Sequence, residues 1–294
     1  MKVGFIGLGI MGKPMAHNVL KHGHDLIVAS RNPDTNKEMA NSGAHVVDSI
    51  GTVASECNVM ILMLPNSPEV EDVILGEKGL IHHLKPGSTI VDMSSIAPNV
   101  SKKMYNTLKE YGVSYLDAPV SGGEPKAIDG TISVMVGGDQ DVYDTYLPLL
   151  QTMAGDVTRV GEAGAGNATK LVNQIIVALN IAAVSEGLVM AEKMGVDTEL
   201  VYRAIRGGLA GSTVLDSKVP SILDGKFEPG FKLALHMKDL NNVKKTLDEL
   251  DLELPLTDSV RDIIENLVQS GHGEEDHGAI VKKYEQNAGV DVRK

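Results

Sequence analysis

Residues Lys2 to Gly12 read KVGFIGLGIMG. The run up to Ile6 is short and apolar, and the residues after Gly12 show helical periodicity that Gly23 closes, so the pattern predicts a strand, a glycine turn and a helix. GxGxxG in this setting strongly indicates a dinucleotide-binding turn, whereas the alternative is a purely structural glycine turn. The residues expected to hold the pyrophosphate are Gly7, Leu8, Gly9, Ile10, Met11 and Gly12.

The predicted second strand, Asp25 to Ala29, ends in Ser30, Arg31 and Asn32. An acidic residue at this point would accept the ribose 2′-hydroxyl of NAD, and none is present. Because an arginine suits a 2′-phosphate, we expect NADP(H) to be preferred and NAD(H) to be possible. The alternative is that Arg31 only stacks on the adenine, which is compatible with either cofactor.

Strand and helix signals then alternate as far as Gly161. Such alternation predicts an α/β fold, a Rossmann-type doubly wound sheet whose ligands lie beyond the carboxyl ends of the strands. Loops at Leu64-Pro65 and Ser94-Ser95 would then line the cofactor cleft. After Gly161 every signal is helical, so we expect a dinucleotide-binding domain at residues 1–162 and an all-helical substrate and oligomerisation domain at residues 163–294.

One long helix is predicted from Gly164 to Met194. Its apolar residues wrap nearly all the way round, which is typical of a helix buried on several sides, and its polar residues argue against a membrane span. Lys170, Asn173 and Gln174 share one face at i, i+3 and i+4. Apolar surroundings and a first-turn position would both disfavour a charged lysine and suit proton transfer. The alternative is a surface lysine that snorkels to water.

Composition limits the classes of partner. The chain has 294 residues and a formal charge of −12, which argues against nucleic acid and anionic membranes as partners. The single cysteine, Cys57, fits a reducing compartment, and no signal peptide precedes the first predicted strand, so we expect a cytoplasmic protein. None of the nine histidines has metal-ligand spacing, so no metal is expected. The GxSxG motif of serine hydrolases is also absent.

A second glycine-rich segment, Asp117 to Gly123, also follows a predicted strand. Backbone N–H groups in such a turn can form an anion-binding nest, and the hydroxyl of Ser121 adds a donor beside Gly122 and Gly123. A small carboxylate would fit there, although an isolated SGG is more often a flexible loop. Lys238-Asp239 lies on a predicted helix, where a solvated charged pair is the default interpretation.

Several of these segments together resemble the β-hydroxyacid dehydrogenase family, and within it the tartronate semialdehyde (2-hydroxy-3-oxopropionate) reductase branch. The resemblance covers the whole chain. It rests on FIGLGIMGKPMAHN at residues 5–18, DAPVSGGEPKAIDGTISVMVGG at 117–138, GAGNATKLVNQ at 164–174 and KDL at 238–240. Two departures are visible: Gln174 stands where many relatives have Asn, and Ser30 where some have Asp.

The resemblance implies that Lys170 is catalytic. It also implies that Ser121, Gly122 and Gly123 hold a substrate carboxylate, that Asn173 and Gln174 hold substrate oxygens, and that Ser95 and Lys238 lie near the nicotinamide. The implied reaction is the reduction of 2-hydroxy-3-oxopropionate to glycerate with Lys170 as general acid, in a dimeric or tetrameric homo-oligomer. Two alternatives remain open: another small hydroxy acid or semialdehyde, such as 3-hydroxyisobutyrate, glyoxylate or succinic semialdehyde, and a non-catalytic dinucleotide sensor.

Overall fold

The computed structural model describes residues 1–293, so residue 294, the last of the predicted second domain, lies outside the described residues. Contacts divide the chain into two compact units, the first ending at Lys170 and the second beginning at Leu171. The first unit contains strands β1 Lys2–Ile6, β2 Asp25–Ala29, β3 His45–Val46, β4 Val59–Leu62, β5 Thr89–Asp92, β6 Ser114–Asp117, β7 Val120–Ser121, β8 Ile132–Gly137 and β9 Ala154–Gly161. Its helices are α1 Gly12–Lys21, α2 Pro33–Asn41, α3 Ile50–Glu56, α4 Ser67–Leu75, α5 Pro98–Glu110, α6 Gly123–Asp129 and α7 Gln140–Leu150.

These strands form one sheet in the order β3-β2-β1-β4-β5-β6-β8-β7, with β9 paired to β8. Strands β1 to β6 are parallel, whereas β8 runs antiparallel to β6 and β7. The order reverses at β1, where β2 lies on one side and β4 on the other, and ligands bind at such a point in doubly wound sheets. The predicted α/β fold with a Rossmann-type sheet is therefore confirmed.

Apolar side chains cover both faces of this sheet. Along β4, Val59 and Ile61 pack into one core cluster and Met60 and Leu62 into another. A strand covered by helices on both faces has no polar side, which explains why these segments read as continuous apolar runs in the sequence.

The second unit is helical. Helix α8, Ala165–Lys193, crosses from the first unit into the second and is followed by α9 Thr198–Ile205, α10 Thr213–Leu223, α11 Leu233–Leu250, α12 Pro255–Leu267 and α13 Val281–Ala288. Leu171, Ala178 and Ile181 of α8 pack with residues of α11 and α12 in a core of the second unit. By length and composition alone α8 is apolar enough to cross a membrane, with a mean hydropathy of 1.7.

The structure also contains elements that the sequence patterns do not indicate. These are α2, α3 and α6, each of seven to nine residues, and the two-residue strand β7. Helices α2 and α3 are set by their first residues, since Asn32 and Ser49 cap them by accepting backbone N–H groups. Such short helices show too little apolar periodicity to be predicted.

Candidate active site

The glycine turn lies between β1 and α1, as predicted. Gly7 has φ +98°, a conformation that L side chains rarely adopt, and a Cβ at Gly12 would collide with the carbonyl oxygen of Gly7. A Cβ at Gly9, by contrast, would meet no atom within 4 Å. The fold itself therefore requires the first and third glycines but not the second. The absence of a side chain at Gly9 leaves the backbone open on that side, which allows a pyrophosphate to approach it closely.

This difference yields a selective test. We expect Gly9→Ala to raise the Kd for NADPH at least about tenfold, because the new methyl group would stand where the backbone must approach the phosphates. Since that methyl group meets no protein atom, Tm should stay within about 2 °C of wild type. Gly207→Ala is the matched control, because a Cβ there also meets nothing within 4 Å. Isothermal titration calorimetry that finds equal NADPH affinity in both variants would refute this interpretation.

The other predicted cofactor residues, apart from Lys238 on α11, lie at the same edge of the sheet, at the carboxyl ends of β2, β4 and β5. Ser30 shapes the turn after β2, where its hydroxyl accepts the N–H of Asn32, and Arg31 is exposed. After β4, the N–H of Leu64 donates to the hydroxyl of Ser94 over 2.9 Å. The structure thus brings together the predicted residues Gly7 to Gly12, Ser30 to Asn32, Leu64, Pro65 and Ser95 on one rim.

Beneath this rim lies a buried polar cluster that the sequence patterns do not indicate. One oxygen of the Asp92 carboxyl accepts the N–H of Ser94, and the other accepts the hydroxyl of Tyr115, at 3.0 and 2.9 Å. Burial raises the pKa of Asp92 to about 6 and that of Tyr115 well above its ordinary value. Asp92 therefore holds the loop after β5 in place.

The raised pKa of Asp92 predicts a pH-dependent stability. Between about pH 4 and pH 6 Asp92 holds its proton more often in the folded than in the unfolded state, so this one carboxyl should lower the free energy of unfolding by about 3 kcal/mol as pH rises through this window. In Asp92→Asn this contribution should vanish, because the amide can accept from Ser94 and donate to Tyr115 without carrying a charge. Urea unfolding across pH 4 to 8 measures both proteins. An equally steep fall in the variant would assign the dependence to other groups.

A second buried carboxylate, Asp117, fixes the start of α8. Its two oxygens accept the N–H groups of Gly164 and Asn167 at 2.7 and 2.8 Å, as a helix cap does. Burial raises its pKa to about 7, and these two N–H donors oppose that rise. The side chain of Asn167 in turn accepts the N–H of Ile96 and donates to the hydroxyl of Ser101. The first turn of α8 is therefore anchored to the loop after β5, to α5 and to the end of β6.

Close packing explains one of the glycines in this anchor. A Cβ at Gly166 would collide with backbone carbonyl oxygens of both Asp117 and Met135. The glycine lets the helix start directly against the ends of β6 and β8. Its position fixes the backbone that leads to Lys170 one turn later.

The predicted carboxylate nest is a sharp turn between β7 and α6. Ser121 ends β7, and Gly122 and Gly123 follow with φ +141° and +71°. Both values lie in the region that glycine adopts readily and other residues avoid. A Cβ at Gly122 would also stand 2.8 Å from the side chain of Lys126. The two glycines are thus required for the chain to enter α6.

Lys170 is buried, with 7% of its surface exposed. This burial excludes the snorkelling surface lysine that was the alternative interpretation. The expected first-turn position is wrong, however: α8 begins at Ala165, so Lys170 lies in the second turn, where the helix dipole is weaker. The carboxylate of Asp117 also lies at the helix start. The environment of Lys170 therefore comes from burial more than from the dipole.

The predicted residues of the second unit form a hydrogen-bonded chain. The Lys238 ammonium pairs with one oxygen of Asp239 at 2.8 Å, and the other oxygen accepts the side-chain N–H of Gln174 at 2.6 Å. Because a carboxylate only accepts, Gln174 must present its amide nitrogen to Asp239 and its oxygen to Asn173, which donates to it over 2.8 Å. Both polar ends of the buried Gln174 side chain are therefore engaged, and the amide of Asn173 is oriented.

Lys238 is thus not part of a solvated charged face, since its partner Asp239 is almost completely buried. The sequence patterns miss the parts that Asp117, Asn167 and Asp239 play here. None of the three has a local signal in the sequence, because the residues that Asp117, Asn167 and Asp239 contact are distant along the chain.

Two family profiles match the chain. The NAD binding domain of 6-phosphogluconate dehydrogenase matches residues 2–161, and the domain described as NAD-binding of NADP-dependent 3-hydroxyisobutyrate dehydrogenase matches residues 164–284. The chain is 43% identical over 285 residues to 2-hydroxy-3-oxopropionate reductase of Escherichia coli strain K12, which covers 97% of each protein.

Solved structures agree with this relationship. The 3-hydroxyisobutyrate dehydrogenase of Mycobacterium tuberculosis, in a structure with L-serine, has a TM-score of 0.90 at 29% identity, and the match covers 96% of this chain and 98% of that one. Psf3 in complex with NADP+ and 2-OPP has a TM-score of 0.87 at 25% identity, with coverage of 95% and 99%. The chain therefore belongs to the β-hydroxyacid dehydrogenase family, the family of 3-hydroxyisobutyrate dehydrogenase, and is an NAD(P)-dependent oxidoreductase that acts on CH–OH groups.

Proposed function

We propose that this protein reduces 2-hydroxy-3-oxopropionate to glycerate with NADPH, and that Lys170 supplies the proton. The observation that carries the proposal is the buried Lys170 on the helix that also bears the oriented amide of Asn173. The 43% identity to the E. coli 2-hydroxy-3-oxopropionate reductase supports this substrate over other small hydroxy acids and semialdehydes.

The backbone of the proposed cofactor site suits a dinucleotide. The open side of Gly9 and the N–H groups at the start of α1 suit a pyrophosphate, and Leu64, Pro65, Ser95 and Lys238 are proposed to line the rest of the site. A bound nicotinamide supplies a hydride to the aldehyde carbon.

The protein's own groups then complete the reduction. Ser121 and the turn at Gly122 and Gly123 hold the substrate carboxylate through hydroxyl and backbone N–H donors. The Lys170 ammonium donates a proton to the carbonyl oxygen as the C–H bond forms, so the aldehyde becomes a primary alcohol and the lysine is left neutral. In the reverse reaction the neutral amine accepts that proton.

The side-chain amides of Asn173 and Gln174 have different proposed functions. The Asn173 amide is held by Gln174, which leaves its carbonyl oxygen and its second N–H for the substrate's single hydroxyl group. Gln174 acts through Asn173 in this account, because Asn173 and Asp239 occupy both ends of its amide. The proposed contribution of Gln174 to substrate binding is therefore indirect.

Cofactor choice is testable at the end of β2. We expect the double variant Ser30→Asp with Arg31→Ala to shift the ratio of kcat/KM for NADPH over NADH toward NADH by about tenfold or more, because a carboxylate there accepts the ribose hydroxyl and repels a 2′-phosphate. Arg31→Lys should fall between the two, since it keeps the charge but loses the planar fork. A wild-type protein that already uses NADH far better than NADPH would show that Arg31 only stacks on the adenine.

The reaction is tested by mixing purified protein with NADPH and 2-hydroxy-3-oxopropionate. We expect loss of the NADPH absorbance and formation of glycerate, identified by mass spectrometry. The rival from another class is a non-catalytic dinucleotide sensor. Binding of NADPH with no absorbance loss at saturating concentrations of any small semialdehyde would favour the sensor, which has no need of a buried lysine.

Three further expectations belong to the same proposal. The substrate and oligomerisation domain is taken to be residues 163–294 and the dinucleotide-binding domain residues 1–162. The protein is proposed to act in the cytoplasm, since its one cysteine, Cys57, is a free and buried thiol. It is also proposed to be a homo-oligomer, a dimer or a tetramer.

A further inference from the structure

Two histidines meet in the core of the second unit. His236 lies on α11 and His277 begins the short 3-10 helix His277–Ile280, and they are 0% and 7% exposed. Their Nδ1 atoms are 3.0 Å apart, and the ring of Phe231 packs edge-on against both. Leu233 and Leu240, one turn before and one turn after His236, belong to an apolar core. Because burying an imidazole costs free energy that burying a leucine does not, packing alone does not explain the pair.

The hydrogen bonds of the pair fix where each ring carries its hydrogen. A carbonyl oxygen only accepts, so His236 must donate through Nε2 to the backbone oxygen of Gln174, at 3.1 Å. Burial favours neutral rings, and in a neutral ring the second nitrogen is an acceptor. His236 therefore accepts through Nδ1, and the donor is the Nδ1–H of His277. His277 thus selects the tautomer of His236 that points an N–H at α8.

Gln174 is joined to α11 at two points. His236 holds its backbone oxygen, and Asp239, three residues further along the same helix face, holds its side-chain nitrogen at 2.6 Å. A carbonyl inside a helix already accepts the N–H four residues on, so the bond from His236 is an addition that α8 does not need. Two bonds to one residue oppose rotation of α8 against α11 at this point. The same residue orients the side-chain amide of Asn173.

His277 in turn has a fixed base. Its N–H donates to the carbonyl oxygen of Phe231 over 2.9 Å. The preceding residue, Asp276, accepts the N–H groups of Gly230 and Phe231, each over 3.1 Å, and pairs with the ammonium of Lys218 at 2.9 Å. The backbone that carries the ring of His277 is therefore held in place independently of α8.

We propose that His236 and His277 are positioning residues of the proposed reduction: they hold Gln174 against α11, so that the amide of Asn173 stays aimed at the substrate's hydroxyl group. The inference rests on the proposed function and extends it to two residues that are not proposed to contact substrate or cofactor. The competing interpretation is that the pair only stabilises the core. The two interpretations differ because a loss of stability affects all substrates alike, whereas a misplaced Asn173 affects those with a hydroxyl group.

The quantity to measure is the substrate ratio, which is kcat/KM for 2-hydroxy-3-oxopropionate divided by kcat/KM for succinic semialdehyde. In His236→Leu it should fall about tenfold or more, mainly through a higher KM for the hydroxy substrate, because a leucine fills the space but donates no hydrogen bond. His236→Gln should keep the ratio within about threefold of wild type, because its amide places an N–H near the position of Nε2. Equal ratios in wild type and a folded His236→Leu would overturn the proposal.

His277 is tested by a similar pair of variants. His277→Asn keeps an N–H near the position of Nδ1 and should retain the substrate ratio, whereas His277→Leu should lower it about threefold or more, because nothing then selects the tautomer of His236. His272→Leu is the matched control: this histidine also lies in the second unit, but its ring bonds Glu275, so the variant should keep the wild-type ratio. Circular dichroism and Tm establish that each variant is folded. An equal loss in His277→Asn and His277→Leu would overturn the part assigned to His277.

Coupling to Asn173 is a more specific test. If His236 acts through Asn173, the double variant Asn173→Ala with His236→Leu should have the substrate ratio of Asn173→Ala alone, within about twofold. A further loss of about tenfold in the double variant would show that His236 acts by another route, and the proposal would then be wrong.

Nitrogen NMR of isotope-labelled histidine supplies a readout that needs no turnover. In wild type near neutral pH we expect the ring hydrogen of His236 on Nε2 and that of His277 on Nδ1. Each ring is assigned by the loss of its signals in His236→Gln or His277→Asn. A charged ring in the pair, or the opposite tautomers, would overturn the proposal even if His236→Leu does not fold.

A wild type that reduces no aldehyde would refute the proposed reaction, and the side-chain amide signal of Asn173 would then decide the fate of this inference. A shift of that signal in His236→Leu that His236→Gln reverses would keep the positioning role. A signal that is the same in wild type and in His236→Leu would overturn it.

Discussion

Lys170→Ala should lower kcat for the reduction of 2-hydroxy-3-oxopropionate by about 10²- to 10⁴-fold, the usual contribution of a positioned general acid. The Kd for NADPH should be nearly unchanged, because the predicted pyrophosphate and ribose contacts come from the turns after β1 and β2. Lys170 is buried, and it follows the first turn of α8, which hydrogen bonds of Asp117 and Asn167 hold in place. The backbone that carries the ammonium group is therefore fixed, which suits proton donation to a carbonyl oxygen. Steady-state kinetics and calorimetric titration with NADPH measure the two quantities.

Lys245→Ala provides the comparison for this variant. Lys245 is an exposed lysine on α11, and its removal should leave kcat within about twofold of wild type, as expected for a surface position away from the site. Circular dichroism and Tm must show that Lys170→Ala remains folded. A folded Lys170→Ala protein that turns over as fast as Lys245→Ala would remove Lys170 from the mechanism.

The second large effect concerns the substrate. We expect kcat/KM for 2-hydroxy-3-oxopropionate to exceed that for succinic semialdehyde and methylmalonate semialdehyde by about 10²- to 10⁴-fold, because a site that hydrogen-bonds a hydroxyl rejects analogues that leave its polar groups unpaired. The polar group that we propose for this role is the Asn173 amide, which is hydrogen-bonded to Gln174, itself bound by Asp239. Glyoxylate is shorter and should also react more slowly.

Asn173→Ala distinguishes discrimination by an unpaired amide from discrimination by the size and shape of the substrate. The variant should lose most of the discrimination, since the group left unpaired by the poorer substrates is gone, while its activity with succinic semialdehyde changes little. Comparing the four aldehydes in both proteins gives the ratio directly. A wild-type preference for succinic or methylmalonate semialdehyde would refute the substrate and leave the reaction class intact.

Most of the fold follows from local patterns in the sequence. The glycine turn lies between a strand and a helix at Lys2–Ile6 and Gly12–Lys21, and the change to helices after β9 is as predicted. These elements are long or carry glycines at required positions, so periodicity and turn chemistry suffice to identify them. Helix α6 escapes detection because its seven residues begin at a glycine and contain a proline. Its helical form depends on packing, which sequence periodicity does not report.

The hydrogen-bond networks of the site are harder to predict from the sequence than the fold is. The side chains of Asp117 and Asn167 meet backbone groups of α8 and of the loop after β5, and Gln174 meets Asp239 on a different helix. Such contacts join residues that are distant along the chain, so no spacing rule predicts them. The error about Lys170 has a different origin: the predicted helix start, Gly164, is only one residue from the observed start, Ala165, so Lys170 lies in the second turn of the predicted helix as well.

The central claim is that proton donation by Lys170 accompanies hydride transfer, and single-turnover kinetics test it most directly. Wild type and Lys170→Ala are each loaded with NADPH, mixed rapidly with saturating 2-hydroxy-3-oxopropionate, and followed by the loss of NADPH absorbance. The account predicts one equivalent of glycerate per NADPH in wild type and a first turnover slower by about 10²- to 10⁴-fold in the variant. A variant that completes its first turnover at the wild-type rate would contradict it, because the chemical step would then need no proton from Lys170.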